Sequence, residues 1–258
     1  MGSYGSRPMT EAYPLLSIPL AYTIDLLWQS WIKKIFLVLI ITFFSWLTVF
    51  QIYQSSLNIF NSVVGNWRFN LVTFGKTKIS YDDAVVMDTK EFQPKDPVLI
   101  KHLCDNGFED STLTGSTTRF FQSVRRSVCV HSGQFLDGCK MSLRDAGLHP
   151  GQWIRASVKC YAVDVPSNLW EPSSLAMDFT IKRRSVKWRA IRLQNKIDNP
   201  NHGIWCFNTG KWGDPYFYSQ IPGKMTMDDT INVFIWNGNP HGPDIYVDDL
   251  SVDVYDNK

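Results

Sequence analysis

The sequence has very little glutamate, since only four of its 24 acidic residues are Glu and the other twenty are Asp. Asp favours turns and helix caps, whereas Glu favours helix interiors. The sequence also lacks any run of ten or more residues with helical periodicity after Gly65. Together these absences predict a loop-rich β protein beyond the N-terminal segment.

The motifs of several enzyme classes are absent as well. There is no G-x-S-x-G, no H-E-x-x-H, no phosphate-binding glycine loop and no dinucleotide fingerprint. No motif marks the pair of carboxylates that a glycosidase needs, so a hydrolase is only a minor alternative. The formal net charge of +2 excludes the strongly basic footprint of a nucleic-acid-binding protein. We therefore predict no catalytic residues and no nucleic-acid partner.

The five cysteines form no C-x-x-C pair, and no Cys/His spacing matches a zinc site. Four of them lie inside apolar runs, namely Cys104, Cys129, Cys160 and Cys206. We interpret these as buried small hydrophobic residues in preference to disulfide partners. Because the count is odd, at least one cysteine is free or pairs with another chain.

One long apolar run is present, "WIKKIFLVLIITFFSWLTVFQIY" at residues 31–53. Residues 35–53 carry no charge and are long enough for one bilayer crossing as a helix. Lys33 and Lys34 precede this run, and the next basic residue is Arg68. The positive-inside rule then places residues 1–34 in the cytoplasm and the C-terminal bulk in the periplasm or outside the cell. We predict an uncleaved signal anchor; a cleaved signal peptide is the alternative.

Residues 13–32 are also apolar, but they contain Pro14, Pro19 and Asp25. We expect this segment to lie at the membrane interface or to pack against a partner in the membrane. The alternative is a second transmembrane helix, which would reverse the topology. The lipid bilayer is thus an expected partner of residues 13–53.

Beyond the membrane segment, residues 54–97 are interpreted as a stalk and linker, in which "FNLVTFG" and "AVVMD" are candidate strands. From residue 98 to residue 258, short apolar runs alternate with turn residues, which is typical of an all-β sandwich. Ten strands are predicted, at 98–104, 126–132, 139–145, 153–163, 174–183, 187–194, 202–208, 216–221, 230–237 and 244–255. The fold class is therefore all-β, a two-sheet β-sandwich preceded by a transmembrane helix.

Three motifs in residues 98–256 carry a resemblance to a known family. They are "CDNGFED" (104–110), "LHPGQWIRASVKCYA" (148–162) and "TINVFIWNGNPHGPDIYVDDLSVDVY" (230–255). Their order and spacing resemble those of jelly-roll carbohydrate-binding modules in the galactose-binding-like superfamily. The resemblance implies a jelly-roll sandwich and a non-catalytic, ligand-binding role.

The final strand raises a specific question about Asp248. On a regular strand, this carboxylate shares the apolar face of Tyr246 and Leu250, where it needs a partner. In the resembling modules, the opening element and the final strand often share a structural calcium. The resemblance therefore implies Glu109 and Asp248 as ligands, with backbone carbonyls near Asp105 and Gly107. The alternative is that Asp248 accepts backbone N–H bonds or pairs with an arginine.

Sugar-binding modules stack aromatic rings on pyranose faces. Trp170 and Trp212 lie in predicted loops, which makes them candidate ligand contacts together with Tyr216, whereas Trp188 and Trp236 lie in strands and are expected in the core. The first functional hypothesis is a membrane-anchored glycan-binding module. The second is an accessory subunit of an envelope membrane complex, in which the sandwich docks onto an envelope protein partner.

Overall fold

The computed structural model describes residues 7–57, 59, 65–168, 170–197 and 207–257. Within these, only the backbone is described for residues 7–15 and 257. The chain divides into two compact units. The first comprises Met1–Gly65 with Gly75–Thr77, and the second comprises Asn66–Phe74 with Lys78–Lys258.

The first unit contains two helices, α1 (Arg7–Trp28) and α2 (Trp31–Ser56). In the described part of the chain, α2 is the one helix long and apolar enough to cross a membrane. Its large apolar side chains, such as Phe36, Leu39 and Phe43, are exposed. An exposed apolar surface of this kind suits contact with lipid, and α2 is therefore a candidate membrane anchor.

The second unit begins with two helices that the sequence interpretation missed. The predicted strands "FNLVTFG" and "AVVMD" are wrong, because they lie in α3 (Trp67–Thr73) and α4 (Tyr81–Thr89). Helix α4 begins with a capping box, in which Ser80 and Asp83 each accept a hydrogen bond from the other's backbone N–H. Such reciprocal caps satisfy two of the N–H groups that a helix start leaves unpaired.

Eleven strands and one short helix follow in the described residues, and most strands begin within a few residues of their predicted positions. The predicted strand at 202–208 lies almost entirely outside the described residues. The elements are β1 (Pro97–Asn106), β2 (Ser116–Thr117), β3 (Ser127–Val130), β4 (Gln134–Ser142), α5 (Leu143–Ala146), β5 (Trp153–Ala162), β6 (Ser174–Ile181), β7 (Arg184–Arg192), β8 (Trp212–Gly213), β9 (Tyr216–Gln220), β10 (Thr230–Asn237) and β11 (Ile245–Asn257).

The strands form two antiparallel sheets. One has seven strands in the order β2-β3-β11-β5-β8, with β1 also paired to β11 and β9 also paired to β5. The other has four strands in the order β4-β10-β6-β7. One core contains residues of both sheets, among them Ile154 and Val252 of the first and Met177 and Val233 of the second. The second unit is therefore mostly β, and its two antiparallel sheets agree with the predicted two-sheet β-sandwich.

A disulfide joins Cys104 of β1 to Cys139 of β4 and so links the two sheets. The expectation that Cys104 is a free hydrophobic residue is therefore wrong. Cys129 and Cys160 are free and buried, as expected. Cys206 lies outside the described residues.

The last strand is not regular, because it contains a bulge directly after Asp248. The pairing of β11 with β5 shifts between Asp248 and Ser251, so that β11 has one residue more than its partner there. Asp249, within this bulge, has a φ of 45°. A bulge reverses the alternation of faces along a strand. Leu250 therefore faces the core, whereas Tyr246 lies outside it, and the expectation that the two share one face is wrong.

Residues 81–93 close the free edge of β9 with side chains. The backbone N–H groups of Tyr216, Tyr218 and Gln220 donate to Tyr81 Oη, Gln93 Oε1 and Glu91 Oε1 at 2.6, 2.9 and 3.3 Å. An open strand edge otherwise invites pairing with other chains. Of the segment predicted as stalk and linker, residues 66–74 and 78–97 belong to the same compact unit as the sandwich.

A buried ion cluster fixes α4 to β7 and the segment after it. The Asp88 carboxylate, whose side chain is 3% exposed, accepts hydrogen bonds from Arg192 and from Lys196 Nζ, the latter at 2.8 Å. Burial raises the pKa of the Asp88 carboxyl, but the two cations outweigh burial and hold that pKa below its ordinary value. Asp88 is therefore ionised at neutral pH.

Candidate functional site

The outer face of the seven-stranded sheet carries a polar cleft. On β5, the residues Ile154, Ala156 and Val158 are buried in the core, so Arg155, Ser157 and Lys159 alternate onto the opposite face. The cleft there has a volume of about 720 Å³. It is lined by Asp105, Asn106, Gly107, Arg155, Ser157, Val158, Lys159, Asp214, Tyr216, Asp249, Leu250 and Ser251.

Tyr216, a sequence-predicted ligand contact, is the aromatic residue of this lining. Its ring stacks on Tyr81 of α4 at 4.6 Å between centroids. The Tyr81 hydroxyl donates to the Tyr216 carbonyl at 2.7 Å and accepts from the Tyr216 N–H at 2.6 Å. Burial and then the charge of Asp82 raise the pKa of the Tyr216 phenol. Tyr216 is thus fixed in place and protonated at neutral pH.

Arg155 provides the cleft with donors that protein groups do not fully use. Its guanidinium lies 4.6 Å from the centroid of the Tyr216 ring. Its Nη1 is 3.8 Å from Asp253 Oδ2, which is too long for a hydrogen bond. Its buried Nε has no hydrogen-bond partner among the described residues. A buried donor without a partner carries a free-energy penalty.

Trp212, the second predicted contact, lies in β8 beside the cleft. It lines a smaller pocket of about 290 Å³ together with Lys159 and Asp214, two residues that also line the cleft. The Lys159 Nζ is 3.8 Å from Asp214 Oδ1, and both side chains are partly exposed. The segment 212–216 therefore presents two aromatic rings along one continuous polar surface.

Trp170, the third predicted contact, lies elsewhere. Its side chain is 67% exposed, and it is not among the residues that line the cleft. Its backbone N–H donates to Asn168 Oδ1, and its carbonyl accepts from Asn239 Nδ2. Trp170 thus belongs to a loop held against the turn between β10 and β11.

The residues predicted around calcium are only partly brought together. Asp105 and Gly107 line the cleft, and a Cβ placed on Gly107 would lie 3.9 Å from Asp249 Oδ1. Asp105 Oδ2 is 2.6 Å from His102 Nε2. Glu109 is exposed and accepts a hydrogen bond from the Arg125 N–H at 3.3 Å. The element "CDNGFED" thus lies beside Asp249.

Asp248 is fully buried, and both oxygens of its carboxylate accept hydrogen bonds from protein donors. Oδ2 accepts from the N–H groups of Gln122 and Ser123 at 2.9 and 3.0 Å, and Oδ1 accepts from Ser123 Oγ and the Asp249 N–H at 3.2 and 2.9 Å. Four donors stabilise this carboxylate without a metal. The need of Asp248 for a partner is thus met by protein donors, and calcium stays a prediction. The partner of Asp248 is the segment at 122–123 instead of 104–110.

The sequence interpretation missed the polar residues of β5 as site residues. Their signal was available, because "WIRASVKCYAV" alternates apolar residues with Arg155, Ser157 and Lys159. It also placed Trp188 and Trp236 in the core, which is wrong. They are 43% and 45% exposed on the four-stranded sheet, with ring centroids 6.2 Å apart.

No protein-family model matches the sequence, and no curated protein matches it. Several solved structures are similar to it. The CBM22-1 xylan-binding domain of Paenibacillus barcinonensis Xyn10C is 12% identical, with a TM-score of 0.34 over 60% of this chain and 94% of that chain. A family 16 carbohydrate-binding module is 10% identical, with a TM-score of 0.32 over 53% of this chain and 82% of that chain.

A third similar structure contains the CBM22-1 and GH10 modules of Clostridium thermocellum xylanase 10B complexed with xylohexaose. It is 13% identical, with a TM-score of 0.36 over 59% of this chain and 28% of that chain. Identities this low, with TM-scores below 0.5, carry no function from those proteins to this chain.

Proposed function

We propose that this chain is a non-catalytic, glycan-binding protein of the jelly-roll type and that the cleft on the outer face of the seven-stranded sheet is its binding site. The observation that carries the proposal is the open polar cleft lined by Arg155, Ser157, Lys159 and Tyr216, with the Trp212 ring beside it. The motif resemblance in residues 98–256 supports the same class of ligand.

The chemistry of the cleft suits a sugar. A pyranose ring has apolar C–H faces that stack on aromatic rings, and its hydroxyls both donate and accept hydrogen bonds. Trp212 offers a ring for stacking, since Tyr81 and Arg155 already cover the Tyr216 ring, while Ser157, Lys159 and Asp214 offer donors and acceptors. Charges of both signs line the cleft, which favours a neutral polyhydroxylated ligand over an ion. Its volume of about 720 Å³ falls within the range of about 300–1,000 Å³ for small-molecule sites.

The proposal includes a membrane anchor and a non-cytoplasmic binding domain. Helix α2 has the length and composition of a membrane span, and Lys33 and Lys34 lie near its N-terminal end. The positive-inside rule then favours a cytoplasmic N-terminus. The disulfide between Cys104 and Cys139 supports an oxidising compartment for the sandwich.

A glycan array with the full chain in detergent micelles tests the binding function. The array should include xylo-, cello- and manno-oligosaccharides, with xylohexaose as one member. We expect binding that Trp212→Ala weakens by about fivefold or more, equivalent to about 1 kcal/mol for the lost aromatic platform. Tyr216→Ala should also weaken it, because this change removes the ring against which Arg155 packs. Absence of binding to any glycan would overturn the proposal.

The exposed aromatic face of the four-stranded sheet favours a second candidate function. Three aromatic side chains are each more than 40% exposed there, namely Trp188, Trp236 and Phe135. The ring of Phe135 packs against that of Phe234, with 4.5 Å between the ring centroids. Such a patch suits docking to a protein, which is the role expected of an accessory subunit in an envelope complex. Purification from the membrane in a mild detergent, followed by mass spectrometry, tests this function. A specific co-purifying protein that Trp236→Ala releases supports it, whereas a monomer without partners contradicts it.

A further inference from the structure

Three side chains with metal-ligating atoms meet at one end of the seven-stranded sheet. Cys129 lies in β3 and His131 directly follows that strand, so the two are two residues apart and project to the same face. Asp244 directly precedes Ile245, which pairs with Val130. The antiparallel register therefore places Asp244 beside His131, although 113 residues separate them in the sequence.

The distances between the ligating atoms are short. His131 Nδ1 is 2.8 Å from Asp244 Oδ2 and 3.7 Å from Cys129 Sγ. All three atoms lie within 4.8 Å of one another. Within the described residues, no other group of three or more His, Cys, Asp or Glu side chains comes together in this way.

We propose that Cys129, His131 and Asp244 form a binding site for a divalent transition-metal ion of the Zn²⁺ type. A thiolate and an imidazole select a borderline or soft cation, whereas Ca²⁺ and Mg²⁺ prefer oxygen ligands. Three protein ligands are the number found at zinc sites that keep a position open for water or a further ligand. None of the three residues lines the cleft of the proposed glycan site, so this inference is independent of that function.

The observed spacing fits such an ion with little movement. Zinc bond lengths of about 2.3 Å to sulfur and about 2.0–2.1 Å to nitrogen and oxygen give, at tetrahedral angles, about 3.6 Å between S and N and about 3.3 Å between N and O. The observed separation of 3.7 Å between Cys129 Sγ and His131 Nδ1 matches the first value. The His131–Asp244 pair, at 2.8 Å, needs to open by about 0.5 Å.

The three side chains differ in burial, and this difference leaves the site open to an ion from solvent. Cys129 is buried, and its Sγ contacts His131 Nδ1. The side chains of His131 and Asp244 are 51% and 45% exposed, so an ion can reach the site from solvent. Binding breaks the Cys129 S–H bond and forms a metal–sulfur bond, and the proton leaves to the buffer.

Titration of the metal-free full chain with Co²⁺ and then Zn²⁺ tests the proposal. The buffer should be anaerobic and non-reducing, so that the Cys104–Cys139 disulfide stays intact. We expect one equivalent of Co²⁺ to give a thiolate-to-metal charge-transfer band that Zn²⁺ abolishes. Cys129→Ser should remove the band, and His131→Ala and Asp244→Asn should each weaken metal binding by about tenfold or more.

The chain offers matched controls for the cysteine change. Cys160→Ala alters the other free cysteine of the described residues. Cys206→Ala alters the one cysteine of the sequence outside them. Both variants should keep the band. His131→Ala changes an exposed side chain, so it tests the site even where Cys129→Ser fails to fold. Absence of the band in the parent chain, its persistence in folded Cys129→Ser, or a parent-like affinity of His131→Ala for Co²⁺ would overturn the proposal.

Discussion

The hydroxyl of Tyr81 holds the backbone of Tyr216 at both of its polar groups, since it donates to the carbonyl at 2.7 Å and accepts from the N–H at 2.6 Å. One side chain of α4 thereby completes the hydrogen bonding of an edge strand and places an aromatic ring in the proposed glycan site. Tyr81 does not line the cleft, so it is a positioning residue.

Tyr81→Phe should reduce both stability and glycan affinity. The change keeps the ring stacked on Tyr216 but leaves a backbone N–H and a carbonyl without their partner. We expect the free energy of unfolding to fall by about 1–3 kcal/mol and the Kd for glycan to rise several-fold. Thermal unfolding and calorimetric titration measure the two effects.

Tyr22→Phe is the matched control for Tyr81→Phe, because the Tyr22 side chain is exposed on α1. Tyr22→Phe should leave the free energy of unfolding and the glycan Kd unchanged. If Tyr81→Phe lowers stability but leaves the glycan Kd at the parent value, then Tyr81 is a structural residue only and does not position the site.

Asp88→Asn should strongly destabilise the second unit. The change removes the counter-ion of the buried Lys196, which costs about 3–5 kcal/mol. Because the folded pKa of Asp88 is lowered, the stabilisation is present above the unfolded pKa of about 3.9 and is lost as pH falls through the lower, folded value. The stability difference between parent and variant should therefore be constant from about pH 5 to 8 and shrink below about pH 4.

Asp228→Asn is the control for this effect. Asp228 pairs with Arg144 at 2.8 Å, but both side chains are mostly exposed. Such a surface pair contributes about 0–1 kcal/mol. Denaturant unfolding as a function of pH measures both variants, and equal effects of the two substitutions would contradict the buried-cluster account.

Asp248→Ala should lower the melting temperature, because it leaves the N–H groups of Gln122 and Ser123 buried without an acceptor. We expect a loss of about 1–3 kcal/mol or more. In the parent chain, four protein donors hydrogen-bond the Asp248 carboxylate. A calcium chelator should therefore leave the melting temperature of the parent chain unchanged. A chelator-induced fall that added calcium reverses would instead support the calcium predicted from the family resemblance.

Most strands of the sandwich were predictable because apolar residues alternate between turn residues. Strand β10, for example, spans Thr230–Asn237, as "TINVFIWN" indicates. The bulge after Asp248 was not predictable, since one extra residue leaves no mark in the alternation and yet exchanges the faces before and after it. For this reason the sequence placed Tyr246 on the wrong face of β11.

Helix α4 was missed because "AVVMD" is a short apolar run without a readable period. Its start did carry a signal, since Ser80 followed by Asp83 is the spacing of a capping box. The exposure of Trp188 and Trp236 could not be read from their strands, because nothing local in the sequence says whether a sheet face is covered.

Of the candidate site, the rings at 212–216 were predictable from a loop rich in aromatic residues. Their meeting with Arg155 and Lys159 depends on the pairing of β5 with β8 and β9, which is a non-local property. The cluster of Cys129, His131 and Asp244 was hidden for the same reason, because strand register alone brings Asp244 to the other two.

The most direct test of the glycan-binding account compares Trp212 with Trp236, two tryptophans on opposite sheets. Calorimetric titration of the full chain with the strongest glycan from the array gives the Kd for the parent, for Trp212→Ala and for Trp236→Ala. The account predicts that Trp212→Ala, beside the cleft, weakens binding by about fivefold or more while Trp236→Ala leaves the Kd unchanged. Loss of affinity in Trp236→Ala with parent-like binding by Trp212→Ala would contradict it.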